Sequence, residues 1–166
     1  MPPVTYHHGM RHLIALFLVI SAAQTVNAEP YKATVVQVWD GDSIVVSTVT
    51  GPQQIRIFGI DAPEKGQPYG TEAKRYLERW LKNQQVTIEP LEQDSYQRTI
   101  ANVTQQQRSV ADRLVERGFA WVYRRYNSSS ELIKKEARAK RERRGLWQNS
   151  QPTPPWLWRQ KEKLKH

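Results

Sequence analysis

Residues 39–64 read WDGDSIVVSTVTGPQQIRIFGIDAPE, and this stretch decides the fold. Two apolar, β-branched runs, 43–49 and 54–60, flank the breaker Thr50-Gly51-Pro52, so the stretch predicts a hairpin of two strands joined by a short loop. Acids stand at its ends: Asp40 and Asp42 before the first strand, Asp61 and Glu64 after the second. A hairpin sets the start of one strand beside the end of the other, which directs these carboxylates toward one small volume. Arg56, inside the second strand, is close enough to join them.

Upstream, YKATVVQV at residues 31–38 predicts a preceding strand that makes the hairpin a three-stranded meander. Downstream, a polar loop at 65–70 leads to TEAKRYLERWLKN, a helix capped by Thr71 whose core stripe is Ala73, Tyr76, Leu77, Trp80 and Leu81. VTIEPL at 86–91 and TIANVT at 99–104 predict two more short strands, separated by the polar loop EQDSYQR. Ser109 caps a short helix that stops at Gly118, and residues 119–123 return as an apolar extended run. A basic helix over 130–144 ends at Gly145, after which Leu146-Trp147 folds back on the body. The expected class is mixed α+β: a five-stranded OB-like β-barrel with about three helices packed against it.

The flanks have a different character. Arg11 precedes the apolar run LIALFLVISAA and then Val26-Asn27-Ala28, which predicts a signal peptide over 1–28 cleaved after Ala28, the nine residues before Met10 adding little to it. The run is too short for a spanning helix of roughly 20 apolar residues, so no stable membrane anchor is expected, and export to the periplasm or medium is. The domain itself is expected over 29–148, followed by a Pro/Trp-rich basic tail over 149–166. Trp156, Leu157 and Trp158 in that tail are read as packing on the barrel or as an unstructured end rather than as a base-stacking surface.

Composition then narrows the chemistry. The net charge of +9 falls only to +8 without the one charged residue of 1–28, Arg11, and a basic chain points to a polyanionic partner. The same cut removes His7, His8 and His12, leaving only His166, and the chain has no cysteine. Nucleophilic catalysis of the Ser-His or Cys-His kind is thereby excluded, as is a zinc site of nitrogen and sulfur ligands. Carboxylates, guanidiniums, hydroxyls and a hard cation are what remain.

In order and in spacing, Asp40-Gly41-Asp42-Ser43, Arg56, Asp61-Ala62-Pro63-Glu64, Asp94-Ser95-Tyr96-Gln97-Arg98 and Gly145-Leu146-Trp147 resemble the staphylococcal (micrococcal) nuclease family. The resemblance spans residues 32–147 and implies an OB-fold barrel, calcium dependence and hydrolysis of phosphodiester bonds in DNA and RNA. It implies that Asp42, Asp61 and the backbone carbonyl of Ala62 ligate Ca²⁺, that Glu64 activates or orients water, and that Arg56 and Arg98 hold the phosphate. Tyr96 corresponds to a tyrosine beside the nucleotide, whereas the other nucleotide-side tyrosines align with either Tyr123 or Tyr126. Ala62 stands where many members have threonine; a backbone ligand survives that change and a hydroxyl hydrogen bond does not.

The residue types fit this chemistry on their own account. Phosphodiester hydrolysis gathers negative charge on the phosphoryl oxygens, and a divalent cation with two guanidiniums stabilises it. An all-oxygen ligand set with several waters suits Ca²⁺, with Mg²⁺ second. Each piece has a plainer reading: Asp61-x-x-Glu64 as a capping box, Asp40-Gly41 as a turn, Arg56 and Arg98 as surface partners of nearby acids, and the basic helix as a solvated face. Those readings do not account for an arginine inside a strand facing acids from both ends of its own hairpin. The first expectation is therefore an exported, mainly endonucleolytic, monomeric enzyme favouring single-stranded substrates and leaving 3′-phosphate ends. The alternatives are a non-catalytic OB-fold nucleic-acid-binding module and an envelope protein whose charge meets anionic lipid or polysaccharide.

Overall fold

The computed structural model describes residues 29–165, so the segment read as a signal peptide lies outside it. Strand β1 (Tyr31–Val38) buries Ala33 and Val35 on alternate positions. A bulge between Val35 and Gln37 inserts one residue and brings Val38 back inward. β2 (Ser43–Thr48) and β3 (Gly51–Ile57) form the expected hairpin, with Ser43 opposite Arg56 and Thr48 opposite Gly51. The connection is shorter than the expected loop, since Gly51 and Pro52 belong to β3. Proline is tolerated there because β3 gains its second neighbour only from Ile55.

The second strand of the hairpin ends earlier than residue 60. Gly59, with φ +78°, turns the chain, and Ile60–Asp61 becomes a separate strand, β4. The positive φ favours glycine there, and a Cβ at Gly59 would also have to push the Asn127 side chain aside. Helix α1 (Gly70–Leu81) buries Ala73, Leu77 and Leu81 as its spacing predicts. Thr71 is not its cap: the ladder opens with the Ala73 N–H donating to the Tyr69 carbonyl, which leaves Thr71 exposed in the first turn.

β5 (Gln85–Gln93) and β6 (Thr99–Gln105) pair antiparallel, and β7 (Arg108–Ser109) folds back on β6. Ser109 caps α2 (Val110–Glu116) by accepting from the Asp112 N–H. β8 (Trp121–Val122) pairs with β4, and α3 (Ser130–Arg141) starts at the Ser129 cap. A 3₁₀ turn at Gly145–Gln148 precedes α4 (Pro155–Lys163), so the segment expected to be a tail carries a fourth helix.

Strand order β3-β2-β1-β5-β6 is closed by a parallel pairing of β3 with β6, which makes a five-stranded barrel. This is the OB-like mixed α+β architecture, with four helices rather than about three. Val46, Ile55, Ile57 and Ile88 fill the barrel, and Leu77 and Leu114 seal it from the helices. A smaller cluster of Trp121, Ala139, Leu146 and Trp147 lies under α3, where Leu146-Trp147 folds back as expected.

Candidate active site

Hairpin register does the first part of the assembly. Because Ser43 is opposite Arg56, the residue before Ser43 stands beside the guanidinium, and Arg56 Nη2 lies 3.2 Å from Asp42 Oδ2. The same nitrogen donates to Asp61 Oδ1 at 3.1 Å, so one guanidinium bridges the two carboxylates. Its Nη1 donates to the Ile57 carbonyl at 2.8 Å, which fixes its direction. Asp42 and Asp61 are 5% and 1% exposed, a burial that carboxylates tolerate only when paired.

Asp42 is held from three sides. Its Oδ1 accepts from Ser43 Oγ at 3.0 Å, its Oδ2 accepts from the Ala62 N–H at 2.6 Å, and its own N–H donates to Asp40 Oδ1 at 3.0 Å. Gly41 belongs to this geometry, for a Cβ there would meet the Cβ atoms of Ala62 and Ala73 at 2.7 and 2.8 Å. Asp40 is therefore a supporting acid with a defined partner. Its burial, and after that the proximity of Asp42, raise its pKa to about 7. Burial also raises that of Asp61, against the lowering effect of its arginine partners.

Glu64 follows the strand end on a loop tied to the rest of the molecule by Gln67. The Gln67 Oε1 accepts from the Glu64 N–H at 3.0 Å, and its Nε2 donates to the Thr153 carbonyl at 2.6 Å. Arg98 comes from the loop before β6. Its Nε donates to Asp94 Oδ2 at 2.8 Å, its guanidinium lies 5.6 Å from the centre of the Tyr96 ring, and among the described residues its Nη groups make no hydrogen bond. Burial pushes Asp94 up, but the hydrogen bonds and charge of Arg98, with the Tyr96 N–H, together outweigh it and hold it below the usual carboxylate range. Tyr96 is 80% exposed at the rim.

All seven residues singled out from the sequence, Asp42, Arg56, Asp61, Ala62, Glu64, Tyr96 and Arg98, line one cleft of about 960 Å³. Tyr123 and Tyr126 line it too, their rings packed edge to face at 5.1 Å. The sequence reading left out α4. Trp156, Arg159, Gln160 and Lys163 stand at i, i+3, i+4 and i+7 and turn one helical face into the cleft. Trp156 stacks on Tyr123 at 5.8 Å. Arg159 donates to Asp61 Oδ1 and Oδ2 at 3.1 and 2.9 Å, and its Nη1 lies 2.5 Å from Glu64 Oε1. Burial opposes the charge on Arg159, but the hydrogen bonds to Asp61 and Glu64 outweigh it and raise its pKa further. Pro155 at the first helical position, followed by this spacing, was the available signal.

Among the described residues, no three acidic or histidine side chains converge closely enough to hold a metal ion between them. Asp42 and Asp61 face a single point, the Nη2 of Arg56, and Glu64 is turned toward Arg159. This donor set fits a hard cation that takes two carboxylates, a carbonyl and several waters, and does not fit an ion that needs a full cage of side chains.

Comparison with known proteins decides the family. The description "Staphylococcal nuclease homologue" matches residues 54–149. The chain belongs to the staphylococcal nuclease family. Relatives include an Escherichia coli protein named "Uncharacterized endonuclease", 34% identical over 154 residues, or 92% of this chain and all of that protein. A Haemophilus influenzae protein of the same name is 30% identical over 92% of this chain and 86% of its own length. The "Micrococcal nuclease" of Shigella flexneri is 31% identical over 91% of this chain and 95% of its own length. With this family match and relatives named endonuclease and micrococcal nuclease along most or all of their length, the chain is a nuclease, a phosphodiester hydrolase with nucleic-acid substrates.

Proposed function

We propose that this staphylococcal nuclease homologue is an exported, calcium-dependent endonuclease acting on both DNA and RNA, with preference for unpaired strands, and that it works as a monomer. One observation carries the reading: a single part-buried guanidinium, Arg56, bridges Asp42 and Asp61 in a cleft that Glu64, Arg98 and Tyr96 also line. Asp42, Asp61 and the Ala62 carbonyl are the groups that hold the cation. When bound, Ca²⁺ supplies positive charge to the phosphoryl oxygens and to nearby water.

The chain's own residues then divide the work. Glu64 takes the proton of the attacking water: it lines the cleft next to Asp61, with which it shares Arg159, and lies outside the Asp42–Arg56–Asp61 bridge. As the water oxygen bonds to phosphorus, the bond to the 5′ oxygen breaks and that oxygen takes a proton from solvent, which leaves a 3′-phosphate and a 5′-hydroxyl. The free Nη edge of Arg98 binds the phosphoryl oxygens in two-pronged fashion, and Arg56, whose Nη groups are held by Asp42, Asp61 and the Ile57 carbonyl, adds its positive charge beside them to stabilise the added charge. Tyr96 at the rim takes the nucleotide beside the scissile phosphate. An open cleft edged by exposed aromatic rings favours a flexible single strand over a rigid duplex. Export rests on the sequence of residues 1–28, and no helix among the described residues is long and apolar enough to cross a membrane.

The test is digestion of heat-denatured DNA and of RNA by the 29–166 chain, with calcium and with a chelator, beside Glu64→Gln. Cutting that needs calcium and falls by at least ~100-fold in the variant is expected, the range for loss of a general base. Equal rates for wild type and Glu64→Gln would remove Glu64 from the chemistry.

A further inference from the structure

Both carboxylate oxygens of Asp61 and one of Glu64 are engaged by Arg159, a residue from the far end of the chain. A cation ligated by Asp61 must displace at least one of these hydrogen bonds. Nothing else in the fold requires Arg159 to be there: α4 is also held by the stack of Trp156 on Tyr123 and by the hydrogen bond from Gln67 to the Thr153 carbonyl. The helix can therefore keep its place while the long, half-exposed arginine side chain turns away. The carboxylates, by contrast, cannot move, since Asp61 lies in β4 and Asp42 is fixed by Ser43 and the Ala62 N–H.

We propose that Arg159 is a built-in counter-ion that engages the Asp61 oxygens the cation needs, together with the Glu64 base, and so sets the calcium concentration at which the site loads. Cation and guanidinium compete for the same oxygens. Calcium binding carries the work of breaking a bidentate, charge-assisted pair, and the apparent affinity is lower by that amount. With calcium in place, Glu64 loses its partner and is free to take a proton from water. Arg159 acts here through Asp61 and Glu64 and is a positioning residue. The inference rests on the reading of Asp61 as a calcium ligand.

The experiment is a calorimetric calcium titration of the full chain without substrate, for wild type, Arg159→Gln, Arg159→Lys, Lys161→Gln and Asp61→Asn, with thermal melts in chelator and in calcium. Arg159→Gln is expected to bind calcium at least ~10-fold more tightly than wild type, the weight of one charge-assisted pair. Arg159→Lys should fall between, because an ammonium is a point charge that cannot bridge Asp61 and Glu64 as the guanidinium does. Lys161→Gln removes the same charge from the same helix at an exposed position outside the cleft and should stay within about twofold, as for a screened surface charge. The calcium-induced rise in melting temperature should be larger in Arg159→Gln than in wild type. Equal calcium affinities in wild type and Arg159→Gln, with Asp61→Asn weakened, would overturn the counter-ion role and leave the metal site standing. A gain in Lys161→Gln equal to that in Arg159→Gln would overturn it too, reducing the effect to net charge. No calcium binding by any of the proteins would overturn the metal site and the counter-ion with it.

Discussion

Asp40 illustrates how one side chain ties the site to pH. Its burial and the neighbouring Asp42 raise its pKa to about 7 in the folded protein. A carboxylate that holds its proton more firmly when folded contributes stability fully below its unfolded value, near 3.8, and loses it as pH rises through 7. Asp61, raised in the same direction, adds to the trend. In chelator, Asp40→Asn, which still accepts from the Asp42 N–H through its amide oxygen, is expected to remove the Asp40 part. Its melting temperature relative to wild type should increase between pH 5 and pH 8 by about 3 °C or more, read by scanning calorimetry. A constant offset across that range would contradict the assignment. At this scale the sequence was most legible where contacts are local. Asp42 and Arg56 meet through one hairpin register, which alternation and a turn predict, and Asp61 follows five residues after Arg56 although its strand is set by the Gly59 turn and the pairing with β8. Arg159 reaches Asp61 from 98 positions away, and no local rule relates the two.

The elements show where periodicity succeeds and where packing overrides it. The core stripe of α1 and the Ser109 cap are found where spacing and residue type put them, because each is decided within one or two turns. The split of the expected long strand into β3 and β4 depends on Gly59 and on β8, a distant partner in the ladder that pairs Asp61 with Trp121 and Ile60 with Val122. The helical nature of residues 155–163 was hidden by composition, since prolines and polar residues before it resemble a linker, yet an amphipathic face with Trp156 and Arg159 needs only a surface to dock on. Support for β4 is itself indirect. Glu136 of α3, 2% exposed, accepts from the Val122 N–H at 2.9 Å and pairs with Arg124 and Lys140. Glu136→Ala orphans that N–H beneath β8 and is expected to destabilise the fold by about 2–3 kcal/mol in urea melts, while Glu136→Gln keeps an acceptor and loses less. If the alanine variant melted with wild type, the brace from α3 to β8 and β4 would carry no weight.

For the whole molecule, charge and closure matter most. A net charge of +9 on 166 residues draws polyanions from a distance, independent of base sequence. Binding of single-stranded DNA by Glu64→Gln in calcium is expected to weaken by ~10-fold or more between about 50 and 200 mM salt, with a linear logarithmic slope, measured by fluorescence anisotropy. A flat slope would place the affinity in stacking on the rim aromatics alone. Closure, meanwhile, rests on the parallel seam between β3 and β6, where Arg56 lies opposite Ile100. Strands so distant along the chain meet late in folding, since long loops must be ordered before their contacts are gained. Arg56 stands on one side of that seam, and the loop that carries Arg98 leads into the other. A chain caught half-folded therefore has apart the two arginines proposed to hold the phosphate. Nuclease activity should return only with the slowest refolding phase, which makes cleavage itself a clock for the final zipping of the barrel.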